Sequence, residues 1–312
     1  MKAKKFIAIL TSVIIVLSLT VPTFANQESP QEFLQGQTTA MVFHDFETGE
    51  THALAMRDGD TSAREVPTPR SMLSRTPSHV EYVEYGSAPS GSFFNTPGLD
   101  SRIAPTTSQV TNTRTHPYGS VVQIITTWPN GFRTVGSGFL WRNNTVVTAA
   151  HTLFSHQHGG WGFIEVNAAR DGSFFPFPTL SPTRGAISME FWQRGEAQHD
   201  FGFIVLNGSI PGSPLNIQSL ADSQMTNLSV RAVGYPATAH PQNTMWRSTG
   251  FVVQPSLNSF TSSHFGTGGL SGGPVINNFT GQVVGIHVGS SPHGSFAKRI
   301  TIPVVNFLLI NA

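Results

Sequence analysis

Gly268-Gly269-Leu270-Ser271-Gly272-Gly273-Pro274 is the stretch whose reading decides the fold. A serine between glycines is common in turns and means little alone. It gains meaning from what serine chemistry requires: a base to take the hydroxyl proton, an acid to orient that base, and backbone donors for a developing oxyanion. The glycines let the chain turn tightly and present N–H groups, with Gly269 and Ser271 as the natural donor pair. Working outward, two further patterns supply the missing groups. Thr148-Ala149-Ala150-His151 follows the β-type run Thr145-Val146-Val147. His199-Asp200-Phe201-Gly202 opens the apolar run Phe203-Ile204-Val205-Leu206.

Chain order separates the known arrangements of these groups. Gly269-Leu270-Ser271-Gly272-Gly273 also fits the nucleophile elbow of α/β-hydrolases, but that order needs an acid after the serine, and none follows Asp222. A subtilisin-like order needs an Asp before the His, and none lies between Ser101 and His151. His, Asp, Ser remains, which is the chymotrypsin-like order and predicts His151, Asp200 and Ser271 as a triad. Glu165, Asp171, Glu190, Glu196, Asp200 and Asp222 lie between His151 and Ser271. Of these, Asp200 alone opens a strongly apolar strand, where a buried carboxylate would meet an imidazole.

The wider sequence agrees with a β-rich protein. Charged residues make up 11% of the 312, against 30 Gly and 21 Pro, which favours short strands and turns over long helices. β-type runs recur from about Val110 onward, among them Ser120–Trp128, Phe132–Trp141, Phe201–Leu206, Ile187–Trp192, Gln282–His287 and Arg299–Ile302. A helix is predicted over Val304–Leu309, just after Pro303. Basic residues are few and scattered, which speaks against nucleic-acid binding. There is no Cys, so thiolate chemistry and disulfide staples are excluded.

Residues 1–25 read as a signal peptide: Lys2, Lys4 and Lys5 precede the apolar stretch Phe6–Val21, and Thr23-Phe24-Ala25 offers a cleavage site. The expected location is therefore secreted, extracellular, with no membrane association after cleavage. Residues 26–100 carry 11 Asp and Glu against 4 Arg, whereas residues 101–312 carry 11 Lys and Arg against 6 Asp and Glu. An acidic segment ahead of a basic one predicts a propeptide and linker that associates with the domain at 101–312. Within it, Met41–His44 and Thr51–Leu54 are expected to pair as a hairpin across Glu47–Glu50. The Pro-, Ser- and Gly-rich stretch Pro67–Pro97 reads as an exposed linker.

Taken together, these residues resemble the glutamyl endopeptidases of Gram-positive bacteria, a branch of the chymotrypsin-like proteases. The resemblance runs from Val110-Thr111-Asn112-Thr113 and Tyr118 through Ser137-Gly138, Thr148–His151, Asp200–Gly202 and Gly269–Pro274 to Gly285-Ile286-His287 and the terminal helix. It implies an all-β fold, a chymotrypsin-like double β-barrel with a short C-terminal helix. It also implies a cleft triad between two six-stranded barrels, with the divide near residues 205–225, and an N-terminal propeptide. In such a fold the strand carrying His287 lines the primary specificity pocket, and Val288 and Gly289 follow where backbone pairs with substrate. Thr267 is the hydroxyl nearest to the Thr that the family often carries five residues before the nucleophile, a position held here by Gly266.

Preference for Lys or Arg needs a carboxylate in the pocket, and Phe265–Ser271 and Gly285–Ala297 contain none. His287, supported by Thr267, points instead to Glu or Asp before the scissile bond. Leu270, immediately before the nucleophile, cannot bind an ammonium, so activation by a buried new N-terminus is not expected. The spacing of His151, His156 and His158 suggests a metal site at first sight. His151 belongs to the triad and the other two lie in a glycine-rich loop, so no metal and no cofactor is expected. The expected function is a monomeric serine endopeptidase acting on proteins or peptides through an acyl-enzyme. Alternatives are an apolar preference with His287 merely structural, or a catalytically silent binding protein on the same fold.

Overall fold

Alternating Val, Ile and Phe residues drive this chain into short antiparallel strands that hide their apolar faces in two barrels. The computed structural model describes residues 38–57, 64–66, 105–291 and 294–312. The expected leader at 1–25 and the linker at 67–100 lie outside the described residues. Strands β1 (Thr38–Asp45), β2 (Thr51–Arg57), β3 (Arg64–Val66) and β4 (Thr106–Gln109) come first. Then follow β5 (Val121–Thr127), β6 (Arg133–Arg142), β7 (Thr145–Thr148), the small pair β8 (Phe154–Ser155) and β9 (Gly160–Trp161), β10 (Phe163–Ala168) and β11 (Pro182–Ser188). Helix α1 (Met189–Arg194) precedes β12 (Gly202–Leu206), and the short helix α2 (Asp222–Met225) precedes β13 (Ser229–Gly234). The chain ends with β14 (Trp246–Pro255), β15 (Ser259–Ser262), β16 (Pro274–Asn277), β17 (Val283–Ser291), β18 (Gly294–Arg299) and helix α3 (Ile302–Asn311).

The first sheet runs β10-β5-β6-β7-β12-β11-β1-β2-β3. Its first six strands curl toward closure, where Val166 and Leu180 exchange backbone bonds of 2.8 and 3.1 Å. The second runs β13-β16-β17-β18-β15-β14-β4 and closes through β13–β14 pairing. The chain crosses from one to the other between Leu206 and Ser229. One core spans both: Val121, Phe139, Val147 and Phe203 from the first barrel meet Val233, Tyr235, Ile276 and Ile286 from the second. A separate cluster of Val230, Val252, Phe260, Val275 and Val284 fills the second barrel.

The hairpin expected across Glu47–Glu50 forms, with Met41 opposite Leu54 and His44 opposite Thr51. Asp45 Oδ1 accepts the N–H groups of Glu47 and Thr48, both at 2.8 Å, and so closes the turn. β1 also pairs with β11, setting Val42 opposite Ile187 and Phe43 opposite Ala186.

Two local expectations are corrected. The run Ile187–Trp192 is a strand only to Ser188, after which the chain turns helical. Ser188 Oγ accepts the N–H of Phe191, and Gly195, at φ +67°, ends the helix, a Ser-to-Gly bracket visible in sequence. The last strand is Gly294–Arg299 rather than Arg299–Ile302. Its Ser and Gly content hid it, as Ser content hid β15. Of three tryptophans, Trp192 is buried, Trp141 packs half-buried against the shared core, and Trp161 is half-buried. Trp141 carries the Arg142 guanidinium 4.4 Å from its ring centre.

Helix α3 starts at Ile302, with Pro303 in its first turn where a missing N–H costs nothing. It returns from the second barrel to pack on the first. Phe307 lies 5.9 Å from Phe43 and 6.5 Å from Phe203, ring centre to ring centre. Burying one such aromatic side chain contributes roughly 1.5–3 kcal/mol in transfer alone. Phe307→Ala is therefore expected to destabilise the protein by about 3–5 kcal/mol through lost transfer energy and a cavity. Denaturant unfolding should show a lower midpoint with an unchanged slope.

Candidate active site

The edges of the two barrels bring the three serine-chemistry patterns to one place. β7 delivers Thr148, and a single 3-10 turn, Ala150–Thr152, carries His151. A second 3-10 turn, Ala197–His199, sets Asp200 at the mouth of β12. Asp200 is 2% exposed. Its Oδ2 lies 2.5 Å from His151 Nδ1, and its Oδ1 accepts the His151 backbone N–H at 3.0 Å. The carboxylate thus fixes both the ring and the main chain of the histidine. With Nδ1–H donated to Asp200, Nε2 is left as the acceptor. Burial opposes charging of His151, but the Asp200 charge and hydrogen bond outweigh it and raise the imidazole pKa above its ordinary value.

The glycine-rich turn is pressed against the first barrel. A Cβ on Gly272 would stand 2.0 Å from Thr148 Oγ1 and 2.1 Å from the Ser137 carbonyl oxygen, and its φ of +85° is a glycine conformation. Ser137, fully buried on β6, makes the connection. Its N–H donates to the Ser271 carbonyl at 2.7 Å, its Oγ donates to Gly269 O at 2.7 Å, and the same Oγ accepts the Tyr235 N–H at 2.8 Å. Sequence reasoning assigned Ser137 no role. Its one signal was its place in the Ser137-Gly138 pair between strand-like residues.

Within the turn, the N–H groups of Leu270, Gly272 and Gly273 are taken by Thr267 O, His287 O and Leu270 O. Among the described residues, no acceptor takes the N–H of Gly269 or of Ser271. Ser271 Oγ donates to the Val288 carbonyl at 3.2 Å. Val288 lies where the β17–β18 register shifts between His287 and Gly289.

His287 is 1% exposed and belongs to a buried chain of polar groups that the sequence did not suggest. Its Nδ1 lies 3.0 Å from His264 Nε2, and His264 Nδ1 lies 2.7 Å from Ser262 Oγ. His287 Nε2 is buried with no partner among the described residues. Burial first, then the neighbouring His264 and His151, push the His287 pKa well below the ordinary range, and burial pushes that of His264 down to about 3. Both rings are therefore neutral near pH 7. If Ser262 donates to His264 and His264 to His287, the free His287 Nε2 carries the proton and is a donor.

Gly266 makes room for this ring. A Cβ there would lie 2.5 Å from His287 Cε1 and 2.6 Å from Ser295 Oγ. Thr267 instead lines a cavity of about 320 Å³ with Thr107, Pro236, Trp246, Phe265 and Leu270, a lining that does not include His287. The histidines at 156 and 158 are drawn elsewhere. His156 Nε2 is 2.9 Å from Trp192 O, and His158 Nδ1 is 3.0 Å from Asn130 Nδ2.

Residues 136–286 match the family model of the trypsin-like peptidase domain, a stretch that includes His151, Asp200 and Ser271. The chain is 32% identical over 207 residues to an extracellular metalloprotease of Bacillus subtilis (strain 168), covering 64% of this chain and 65% of that one. It is 27% identical over 212 residues to a glutamyl endopeptidase of Staphylococcus aureus (strain MRSA252), covering 65% and 56%. The chain thus spans less than two thirds of the length of these two curated relatives. The solved structure of a Glu endopeptidase in complex with MPD superposes with a TM-score of 0.59 at 20% identity, over 65% of this chain and 94% of that one. The protease Anisep from Arthrobacter nicotinovorans superposes with a TM-score of 0.53 at 20% identity, over 66% and 99%. The chymotrypsin fold and the likeness to glutamyl endopeptidases read from the sequence both stand. The metal in the name of the B. subtilis relative has no counterpart arrangement: among the described residues, no three His, Asp or Glu side chains stand together to hold an ion.

The neutral histidine pair makes stability pH-dependent. Unfolded imidazoles take a proton near pH 6.5, whereas folded His264 does so only near 3. The unfolded state therefore binds more protons throughout that window. The contribution is full above pH 6.5 and is lost progressively as pH falls toward 3, by roughly 1 kcal/mol per pH unit. His264→Gln is expected to flatten the fall of Tm between pH 6.5 and 4, as calorimetry across that range would show.

Proposed function

We propose that this chain, glutamyl endopeptidase-like and built on a trypsin-like peptidase domain, is an exported serine endopeptidase that uses Ser271, His151 and Asp200. The observation that carries this reading is the His151–Asp200 bond beside a serine turn with two untaken backbone donors. Ser271 Oγ attacks the scissile carbonyl while His151 Nε2 takes its proton, and Asp200 stabilises the imidazolium that forms. The N–H groups of Gly269 and Ser271 receive the oxyanion. His151 then returns the proton to the leaving amine, and water releases the acyl group by the same path. Substrate backbone N–H is expected to take over the Val288 carbonyl, freeing the Ser271 hydroxyl to swing to His151 Nε2. Gly289 continues that pairing edge. The leader at 1–25 directs export, and residues 26–100 form the propeptide region.

The preferred residue before the scissile bond is Glu, then Asp. Support comes from His287 Nε2, buried without a partner among the described residues, which is a donor when Ser262 donates to His264 and His264 to His287. A buried polar group left unmatched costs free energy that a substrate carboxylate would recover. A hydrogen bond to a charged group contributes about 1.5–3 kcal/mol, or about ten- to a hundredfold in selectivity. Thr267 lines a cavity whose lining does not include His287, so His287 is taken as the main determinant.

Two measurements test the reading. Ser271→Ala should lower amide hydrolysis on the order of a million-fold with the fold intact, and a fluorophosphonate probe should label the parent at Ser271. A protein that the probe leaves untouched is a silent binding protein, and substantial activity in the variant removes Ser271 as nucleophile. Separately, kcat/KM on matched peptides with Glu, Gln, Leu or Arg before the scissile bond should favour Glu, and His287→Ala should erase the Glu-over-Gln margin. Equal rates for Glu and Gln in the parent, unchanged in the variant, would falsify the acidic pocket and leave the apolar preference.

A further inference from the structure

The N-terminal hairpin lies where a propeptide is expected in sequence, yet its burial is that of an interior strand. Side chains along a strand alternate between faces, and in β1 both faces are covered. Ala40 and Val42 on one face and Met41 and Phe43 on the other are each 6% exposed or less. Met41 and Phe43 enter the core shared by both barrels, with Phe43 6.0 Å from Phe203 and 5.9 Å from Phe307. β2 adds Ala53 and Ala55, also buried. The main chain is held along its length: β1 pairs with β11 from Met41–Ser188 to Asp45–Arg184, and beyond the strand Phe46 N–H donates to Thr183 O at 2.9 Å. His44 stacks on Trp161 at 4.8 Å.

Phe203 lies three residues after Asp200 on β12, and β11 runs directly into α1. The hairpin therefore buttresses the strands that position the acid, and its described contacts do not reach Ser271 or His287. Without it, β11 would present an unpaired edge and Phe203 and Phe307 would lose their apolar cover, both of which folded proteins avoid.

We infer that the hairpin Thr38–Arg57 is a permanent strand pair of the first barrel, bound independently of the peptide joining it to residue 105. Cleavage within residues 67–104 would then give a two-piece protein in which the hairpin fragment stays in place by strand addition. This is a different relation from a masking segment that leaves on maturation, and it does not depend on the proposed activity.

The test uses the full chain carrying Ser271→Ala, so that self-cleavage is absent, with a recognition sequence for an unrelated site-specific protease inserted near residue 88. After cutting, the N-terminal fragment is expected to co-elute one-to-one with the remainder under native conditions and to separate only in denaturant. The amides of residues 186–188 should keep their protection from hydrogen exchange. Phe43→Ala in the same cut protein should raise the dissociation constant of the fragment at least tenfold. The inference is overturned if the fragment elutes alone while the remainder stays folded, or if Phe43→Ala leaves retention unchanged.

Discussion

A buried serine, Ser137, joins the two barrels at the candidate site, next to the turn of the proposed nucleophile. Ser137 stands on β6 of the first barrel and bonds to Ser271 O, Gly269 O and Tyr235 N–H of the second. Its own carbonyl accepts Thr148 Oγ1 at 2.7 Å, three residues before His151. A single side chain and its peptide group thus tie β7, which leads into the His151 turn, to the turn that carries Ser271. The contact is buried, which makes each lost partner in it costly. Gly272 is the complement of this clamp, because no side chain fits between its backbone and Thr148.

The same economy of space governs the surroundings of His287. Gly266 leaves room for the His287 ring, and that room is filled to the point that a methyl group would collide. Two neutral histidines and a serine are then stacked in the interior, where burial keeps them uncharged. The arrangement holds no charge at neutral pH and leaves His287 Nε2 as a buried atom without a partner among the described residues. Its counterpart is lower stability in acid, since unfolding lets both imidazoles charge.

A second theme is how the chain closes on itself. The terminal helix and the N-terminal hairpin meet at Phe43, Phe203 and Phe307, so the two ends of the described fold seal the same face of the first barrel. With no cysteine in the sequence, this closure rests on apolar packing and not on a disulfide. Among the described residues, the buried side chains of β1 at this contact are Ala40, Met41, Val42 and Phe43, while the acidic Asp45 stands at its end opposite Arg184.

The sequence by itself determined the fold class and the residues of the proposed triad. Chain order admits one arrangement of a glycine-flanked serine, a post-strand histidine and a strand-opening aspartate. The hairpin across Glu47–Glu50 and the helix after Pro303 were legible for a similar local reason: turn residues and Pro act within a few positions. Helix α1 and strands β15 and β18 were not read correctly, because short Ser- and Gly-rich segments take their state from the neighbours they pair with. Ser137, the His264–His287 chain and the need for Gly266 were decided only in tertiary structure. Each is a matter of groups distant in sequence brought within bonding distance, 132 residues apart for Ser137 and Gly269 and 23 for the histidines. Local patterning carries no record of such contacts, and desolvation, which gives them their energy and their pKa values, exists only once the barrels have closed.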